Sequence, residues 1–400
     1  MRQPLCKAQF VRVLIVGAGI GGLTCGIGLQ HAGVDVEIVE RAGDLAGIGA
    51  GISLWPNALA ALNELGVEAA VAAEGIEFAS GNIRRPSGEP FSIFEPEQMR
   101  RYFDGMPVMM HRADLQRVLL DAAKNIDITL GTGCQSVVTE GDEVTVRLSD
   151  GSTRTADFVV GADGVRSAVR ASVDPSRPRY VGLAAWRAVI SAAVPVRDSW
   201  LSIGHGKQFL AAPLSEGRTY VSGLLPMSEG AFTEIPHLGP FLRESFQGWH
   251  DPIDQLIGDT PEDAYIRGDV YDRPRPSRLC WGRVALIGDA AHPVTPDLGQ
   301  GGCLAIEDAV VLARCLQLVE NVPGALKLYE QARLPRVRTI VFESHWTGKV
   351  FASPNPVIEA IRSAILRGMP TRTRLRHLSR YASRDAFLKG LPPMKEASRG

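Results

Sequence analysis

Val11-Arg-Val-Leu-Ile-Val16, Gly17-Ala-Gly-Ile-Gly-Gly22 and Val34-Asp-Val-Glu-Ile-Val39 belong to one continuous unit of the chain. The first stretch is a short β-branched run of the kind buried in a parallel sheet. The glycine turn opens a helix expected over Leu23 to Ala32, capped by Gly33. The third stretch is a second strand with Glu40 at its end. GxGxxG thus falls on Gly17, Gly19 and Gly22, between a strand and a helix, with an acid about twenty residues on. Gly17 permits the tight turn, Gly19 admits a pyrophosphate against the backbone, and Gly22 lets the helix pack on the strand. The helix N-terminus offers free N–H groups and positive dipole to the diphosphate. Ile20 in the turn and Arg41 after Glu40 complete the candidate cofactor contacts here. The unit binds a dinucleotide, and by itself does not separate NAD from FAD.

Two later turns repeat the arrangement. Thr155-Ala-Asp-Phe-Val-Val160 reads as a strand entering Gly161-Ala-Asp-Gly-Val-Arg-Ser167. Gly282-Arg-Val-Ala-Leu-Ile287 reads as another, opening into Gly288-Asp-Ala-Ala-His-Pro293. Pro296-Asp-Leu-Gly-Gln-Gly-Gly302 and a strong helix from Cys303 to Leu318 follow. Asp289, at a strand end, is placed to hold a ribityl or ribose hydroxyl. The Gly299–Gly302 loop opens a helix whose N-terminus is placed to stabilise negative charge, as on a reduced flavin ring if the dinucleotide is FAD.

With these motifs the chain resembles the single-component FAD-dependent aromatic hydroxylases, relatives of para-hydroxybenzoate and salicylate hydroxylase. The resemblance rests on GAGIGG at Gly17–Gly22, GADGVRS at Gly161–Ser167 and GDAAHPVTPDLGQGGCLAIEDA at Gly288–Ala309, with GAGISLWPNA at Gly49–Ala58 and HRADL at His111–Leu115. The wording around Trp55-Pro-Asn57 and Gly299–Cys303 is nearest the salicylate, hydroxybenzoate and urate hydroxylase branch. It implies that Gly17, Gly19, Gly22 and Glu40 hold the ADP half of FAD, with the backbone at Cys134 near the adenine. It implies that Arg112 reaches the pyrophosphate or ribityl chain and that Asp289 binds the ribityl chain. Asp163 would contact the pyrophosphate indirectly, in a segment that takes part in NAD(P)H binding. Ser53, Gly299, Gln300, Gly301, Gly302 and Cys303 would lie against the isoalloxazine. The implied chemistry is reduction of FAD by NADPH or NADH, addition of O2 to give a flavin C4a-hydroperoxide, and transfer of OH to an electron-rich ring.

Between the second and third motifs Ala184–Ile190, Trp200–Ile203, Gln208–Ala212 and Arg218–Ser222 read as short strands with glycine or proline turns, an antiparallel sheet inserted into the nucleotide-binding part. The stretch 76–102 adds a strand or two, and 233–256 reads as a helix beyond the sheet. The expected fold is mixed α/β: a Rossmann-like FAD-binding domain (1–75, 103–180 and 265–340), an antiparallel substrate domain (76–102 and 181–264), and a C-terminal helical region with tail (341–400). Candidates for handling substrate are Pro296 and Asp297 before the flavin loop, Tyr220 as an orienting phenol or core residue, and Arg187 as partner of a substrate carboxylate or of a sheet-surface acid. His205, in a Gly-His-Gly turn, is expected to be exposed.

Composition narrows the class. The net charge of −1 offers no basic field for nucleic acid or an anionic membrane. None of the six cysteines forms a CxxC pair and no HExxH occurs, so no metal is expected and the thiols read as reduced, in a cytoplasmic protein. The apolar stretch Val11 to Leu29 is too glycine-rich for a signal peptide. The chain is therefore expected to be soluble, a monomer or homodimer, acting on a small aromatic molecule. Other readings are a flavin epoxidase or oxygenase of a larger quinolone- or polyketide-like ring system, and a non-catalytic FAD redox sensor. A halogenase lacks its Trp-x-Trp-x-Ile-Pro signature here. The basic stretch from Arg362, with Arg372, Arg374, Arg376, Arg380 and Arg384, is expected to form the solvated face of a closing helix rather than an anion- or membrane-binding surface.

Overall fold

The computed structural model describes residues 11–45 and 49–393. Cys6, Lys7 and the last residues of the tail lie outside them. The glycine-rich unit forms as expected: strands Arg12–Val16 and Asp35–Val39 run parallel on either side of the helix Ile20–His31. They sit in a six-stranded sheet whose order is Cys280–Trp281, Val284–Leu286, Phe158–Gly161, Arg12–Val16, Asp35–Val39, Asp127–Thr129. All neighbours are parallel except the first two strands, which form a hairpin. Both faces are covered, which is why Val13, Leu14, Ile15 and Val16 are all buried rather than alternating. The three glycine motifs therefore end at one edge, the carboxyl ends of three adjacent strands, where α/β sheets bind their ligands.

The inserted sheet has seven strands in the order Ile266–Asp272, Arg179–Ile190, Thr219–Pro226, Lys207–Pro213, Ser199–Gly204, Gly81–Arg84, Pro90–Phe94. Ile266–Asp272, which the expected boundary at 265 assigned to the nucleotide-binding part, pairs instead along Arg179–Ile190. Side chains alternate across this sheet. Ala184, Trp186, Ala188 and Ile190 enter a core with Phe209, Phe246 and Leu256, while Arg187 on the opposite face turns to a cavity. Trp186 meets Phe209 and Tyr265 edge-on at 5.4 and 5.8 Å, pairs each contributing about 1 kcal/mol beyond burial.

Several expectations are corrected. The stretch 233–256 is no single helix. Gly248 at φ +77 and Pro252 break it into Leu238–Ser245 and Ile253–Gly258. The strand expected over 155–160 splits at Asp157, leaving Thr153–Ala156 in a separate three-stranded sheet with Cys134–Glu140 and Glu143–Leu148. Within 76–102, Gly81–Arg84 and Pro90–Phe94 extend the large sheet, but Pro96–Phe103 is a helix and Ile76–Glu77 pairs with Val108–His111. A helix begins well before Pro335, running from Val322 to Phe351 through that proline.

The basic C-terminal stretch is not simply a solvated face. Arg362 and Arg374 are buried and donate to main-chain carbonyls, and Arg384 forms a bidentate pair with Glu68. Arg372, Arg376 and Arg380 are exposed. Long side chains here close orphan helix carbonyls, a use that charge counting does not reveal. Leu391 packs on the main core instead of opening a loose tail. Among the described residues no helix is long and apolar enough to cross a membrane, and no cluster of His, Cys, Asp and Glu could hold a metal.

Candidate active site

The dinucleotide end is assembled by backbone. Gly17, at φ +110, donates its N–H to Val39 O at 2.8 Å. Gly19 caps the helix Ile20–His31 with no side chain competing for its free N–H groups. Ile20 is buried behind them. The Glu40 carboxylate accepts from Ala18 N at 2.8 Å and Ala42 N at 2.9 Å, retaining lone pairs for ribose hydroxyls. Thr132 N donates to Glu40 O, and Gly133 abuts the exposed Arg41. Cys134 thus follows directly the two residues that meet Glu40 and Arg41. Burial and the Asp163 charge push its thiol up to about 12, so it is a neutral wall.

Asp163 is turned inward. Its carboxylate accepts from Ser167 Oγ at 2.5 Å, Ala168 N at 2.7 Å and Val169 N at 3.2 Å, capping the helix Ala168–Val173. Burial nevertheless raises its carboxyl above the ordinary range. With both oxygens occupied, Asp163 shapes the turn rather than reaching a ligand. Asp163→Ala is expected to lower stability by about 2 kcal/mol through the lost cap while leaving FAD affinity within about threefold. Urea unfolding and flavin titration measure the two separately.

The third motif opens onto a cavity of about 830 Å³. Gly51, Ser53, Asp289, Pro296, Gly301 and Gly302 line one side, and Arg187, Gln208 and Tyr220 from the large sheet line the other. Asp289 is exposed and lines this cavity. Desolvation raises its carboxyl, opposed by the charges of His292, Arg112 and Arg187. Arg112, whose charge acts on Asp289, is the first residue of the helix Arg112–Ala122, and Gln116 on the same helix donates to Ala18 O in the glycine turn at 3.4 Å. Gly299 has φ +62, and a Cβ on it would stand 3.0 Å from Trp55 Nε1 and 3.1 Å from Ser53 Oγ. Cys303 lies behind the loop with Sγ 3.7 Å from the carbonyls of Ser53 and Gly299, its thiol pushed up to about 12 by burial. Trp55 Nε1 and Gln300 Nε2 are buried without partners. Such orphan donors beside a glycine loop suit a heteroaromatic ring rich in acceptors, and together with the open turn at Gly19 they fit FAD.

The substrate-side candidates separate. Arg187 and the Tyr220 ring, packed against Gly51, face the cavity. Asp297 does not present a free carboxylate: Oδ1 accepts from Gln208 Nε2 at 2.8 Å, and Oδ2 is buried without a partner near Gly348. Pro296 is exposed at the start of the turn. His205 is exposed and distant, tied to Glu359. Burial raises the Asp297 carboxyl, so its ionised form is disfavoured in the fold. That penalty sets in as pH rises above the ordinary carboxylate range and is complete above the raised value. Asp297→Asn is therefore expected to stabilise by on the order of 1 kcal/mol at about pH 8 and by less at about pH 5, read by thermal unfolding.

One group of functional residues went unassigned in the sequence. Glu307 and Asp308, on the helix Gly301–Leu318, are fully buried. Asp308 accepts from Gly288 N at 3.0 Å, His292 Nε2 at 2.6 Å and Arg333 Nε at 2.7 Å. Glu307 accepts from Arg333 at 2.6 Å, Arg336 at 2.7 Å and Asn57 Nδ2 at 2.7 Å, and Asn57 also donates to Gln300 Oε1 at 3.0 Å. Burial would raise both acids, but Arg336 and Arg333 outweigh it at Glu307, and His292 and Arg333 at Asp308, holding both below the ordinary range. The network fixes Gly288–Asp289 and Gln300 relative to one helix, so it positions both flavin loops. The signal was visible: two adjacent acids inside an otherwise apolar helix must be paired.

A protein family described as an FAD binding domain matches residues 10–344. The chain is 41% identical over 364 residues to an aurachin C monooxygenase/isomerase of Stigmatella aurantiaca, covering 89% of this chain and 94% of that one. It is 34% identical over 346 residues to an FAD-dependent urate hydroxylase of Klebsiella pneumoniae, covering 84% and 88%. The fold superposes on Klebsiella pneumoniae HpxO complexed with FAD and uric acid with a TM-score of 0.86 at 29% identity, covering 96% and 98%. A glycine turn open to a diphosphate, a flavin loop with unpartnered donors and relatives of this kind agree, and the chain belongs to the FAD-dependent aromatic hydroxylases, the flavoprotein monooxygenases built on this FAD-binding domain.

Proposed function

We propose that the enzyme uses NADH or NADPH as reductant and hydroxylates an aromatic or heteroaromatic small molecule bound in the 830 Å³ cavity. The observation that carries this is the facing of two sets of residues across that space: Asp289, Ser53 and Gly299–Gly302 on one side, Arg187, Tyr220 and Gln208 on the other. FAD, when bound, would pass electrons from NAD(P)H to O2, one oxygen atom of which goes to the ring and the other to water. Gly17, Gly19, Ile20, Gly22, Glu40, Arg41 and Cys134 hold its adenosine diphosphate end. Arg112 and Asp289 hold the ribityl chain, and Ser53 with Gly299–Cys303 hold the ring. Arg187 pairs with an acidic oxygen of the substrate, and Tyr220 orients the ring against Gly51. Asp297 is a positioning residue that acts through Gln208. We take the substrate domain as the seven-stranded sheet and its helices, with its second boundary after Asp272.

The test is a visible spectrum of the purified protein followed by NAD(P)H oxidation against phenols, hydroxybenzoates, purines and quinolones. Oxidation stimulated by one of these compounds, with oxygenated product matching NAD(P)H consumed, is the expected result. Bound flavin with no compound stimulating oxidation would overturn the proposal.

A further inference from the structure

We infer that the substrate's aromatic ring carries a long apolar chain, seated in an arm of the cavity that extends along the large sheet beyond the strand of Gln208. This rests on reading the cavity as the substrate site. The cavity is lined from six neighbouring strands of the large sheet, by Arg187, Tyr220, Gln208, Leu201, Ile83 and Phe94 in spatial order. At ~4.8 Å between strands, the five steps from Arg179–Ile190 to Pro90–Phe94 span about 24 Å.

The flavin-side elements meet the first strands of this sheet, and Trp55, beside the Gly299 turn, also packs edge-on against Phe103 at 5.4 Å. The strand Gly51–Leu54 packs on Arg179–Ile190, Gly51 backs Tyr220, and Asp297 binds Gln208. Beyond the strand of Gln208 lie three more strands, about 14 Å of sheet. The helices Pro356–Gly368 and Thr371–Ala382 pack on the outermost of these strands, and Pro96–Phe103 packs on the second of those helices. The walls there are Ile83, Phe94, Met99, Phe103, Leu366 and Leu378.

The cations of this arm are partly engaged. Arg374 donates to the main-chain carbonyls of Phe91, Leu366 and Met369, and His377 Nε2 lies 2.9 Å from Glu343. Tyr381 Oη and Arg374 Nε are buried there without partners. An apolar chain gains affinity with each methylene it buries, whereas a lone ring would leave the arm as water against an apolar wall.

The experiment titrates the flavin-loaded enzyme with phenol and quinolone rings carrying straight alkyl chains from methyl to nonyl, following the flavin absorbance change. The dissociation constant is expected to fall about three- to fourfold per added methylene until the arm is full. Leu366→Trp, which fills the arm, and Leu366→Gln, which puts an unpaired amide in it, should each flatten that dependence. Methyl compounds should keep their affinity within about twofold, and flavin content reports that both variants fold. Ring compounds that bind without chain-length dependence, or a dependence that both variants retain, would overturn the inference and leave the hydroxylase reading standing. Failure of every compound to perturb the flavin would overturn both.

Discussion

Arg333→Leu is expected to lower stability by about 3–5 kcal/mol and to release the flavin. The Arg333 guanidinium is the shared partner of Glu307 and Asp308, all three fully buried. Removing one member of such a group leaves carboxylates in a low-dielectric interior with too few counter-charges, which costs more than the intact group ever contributed. Arg336 and Asn57 still reach Glu307, and His292 still reaches Asp308. Asp308 therefore loses proportionally more. Because it receives the Gly288 N–H, the damage passes directly to the turn bearing Asp289.

The pH dependence follows from the two depressed carboxyls. In the wild type they contribute stability that is present above the ordinary carboxylate pKa and is lost as pH falls through their lower native values. In Arg333→Leu that contribution shrinks, so the deficit is largest at neutral and higher pH and narrows as the acids protonate. Urea unfolding at about pH 5 and about pH 8, with released flavin followed by fluorescence, measures both. A deficit below about 1 kcal/mol, or one independent of pH, would show the network to be dispensable.

Gly22→Ala should yield protein that holds no flavin. A Cβ there would lie 1.8 Å from Gly17 O and 3.4 Å from the Ala162 side chain. Gly17 cannot retreat, since its own Cβ position is 2.5 Å from Ala162 O and its N–H is held by Val39 O. The turn between strand and helix must open, at about 3 kcal/mol or more, which in binding is about a hundredfold. Gly19→Ala supplies the contrast, because a Cβ at that position meets nothing within 4 Å. It should fold with an unchanged unfolding midpoint and lose FAD affinity specifically, since the methyl occupies the space left for a diphosphate. Flavin retained after gel filtration distinguishes the two. A yellow, stable Gly22→Ala protein would contradict the close packing of the turn. Gly19→Ala binding FAD as tightly as wild type would place the diphosphate elsewhere.

The glycine-rich unit was legible because every demand on it is local. A β-branched run, a turn that excludes Cβ atoms and a helix with a free N-terminus are contiguous, and the structure reproduces them within a residue or two apart from the earlier helix start at Ile20. The strands of the large sheet were legible for a similar reason, as turn residues punctuate them. What escaped depended on partners distant in sequence. Gly51–Leu54 is a strand because Val108–His111 lies beside it. Ile266–Asp272 joins the large sheet through pairing with a segment some eighty residues earlier. Asp297 accepts a hydrogen bond from Gln208 of the large sheet, so its place in the motif, which put it near the flavin loop, did not reveal that one carboxylate oxygen is engaged and the other buried.

Sequence alone determined that three strand–glycine–acid turns converge on one dinucleotide, because periodicity and the steric demands of glycine act within a few residues. It also pointed to a second, antiparallel sheet inserted into the nucleotide-binding part. Tertiary structure decided which charges are buried and paired, how Glu307 and Asp308 tie both flavin loops to one helix, and how far the cavity reaches under the C-terminal helices. Those outcomes depend on the packing of segments hundreds of residues apart, where desolvation and shape, rather than local pattern, select which side chains meet.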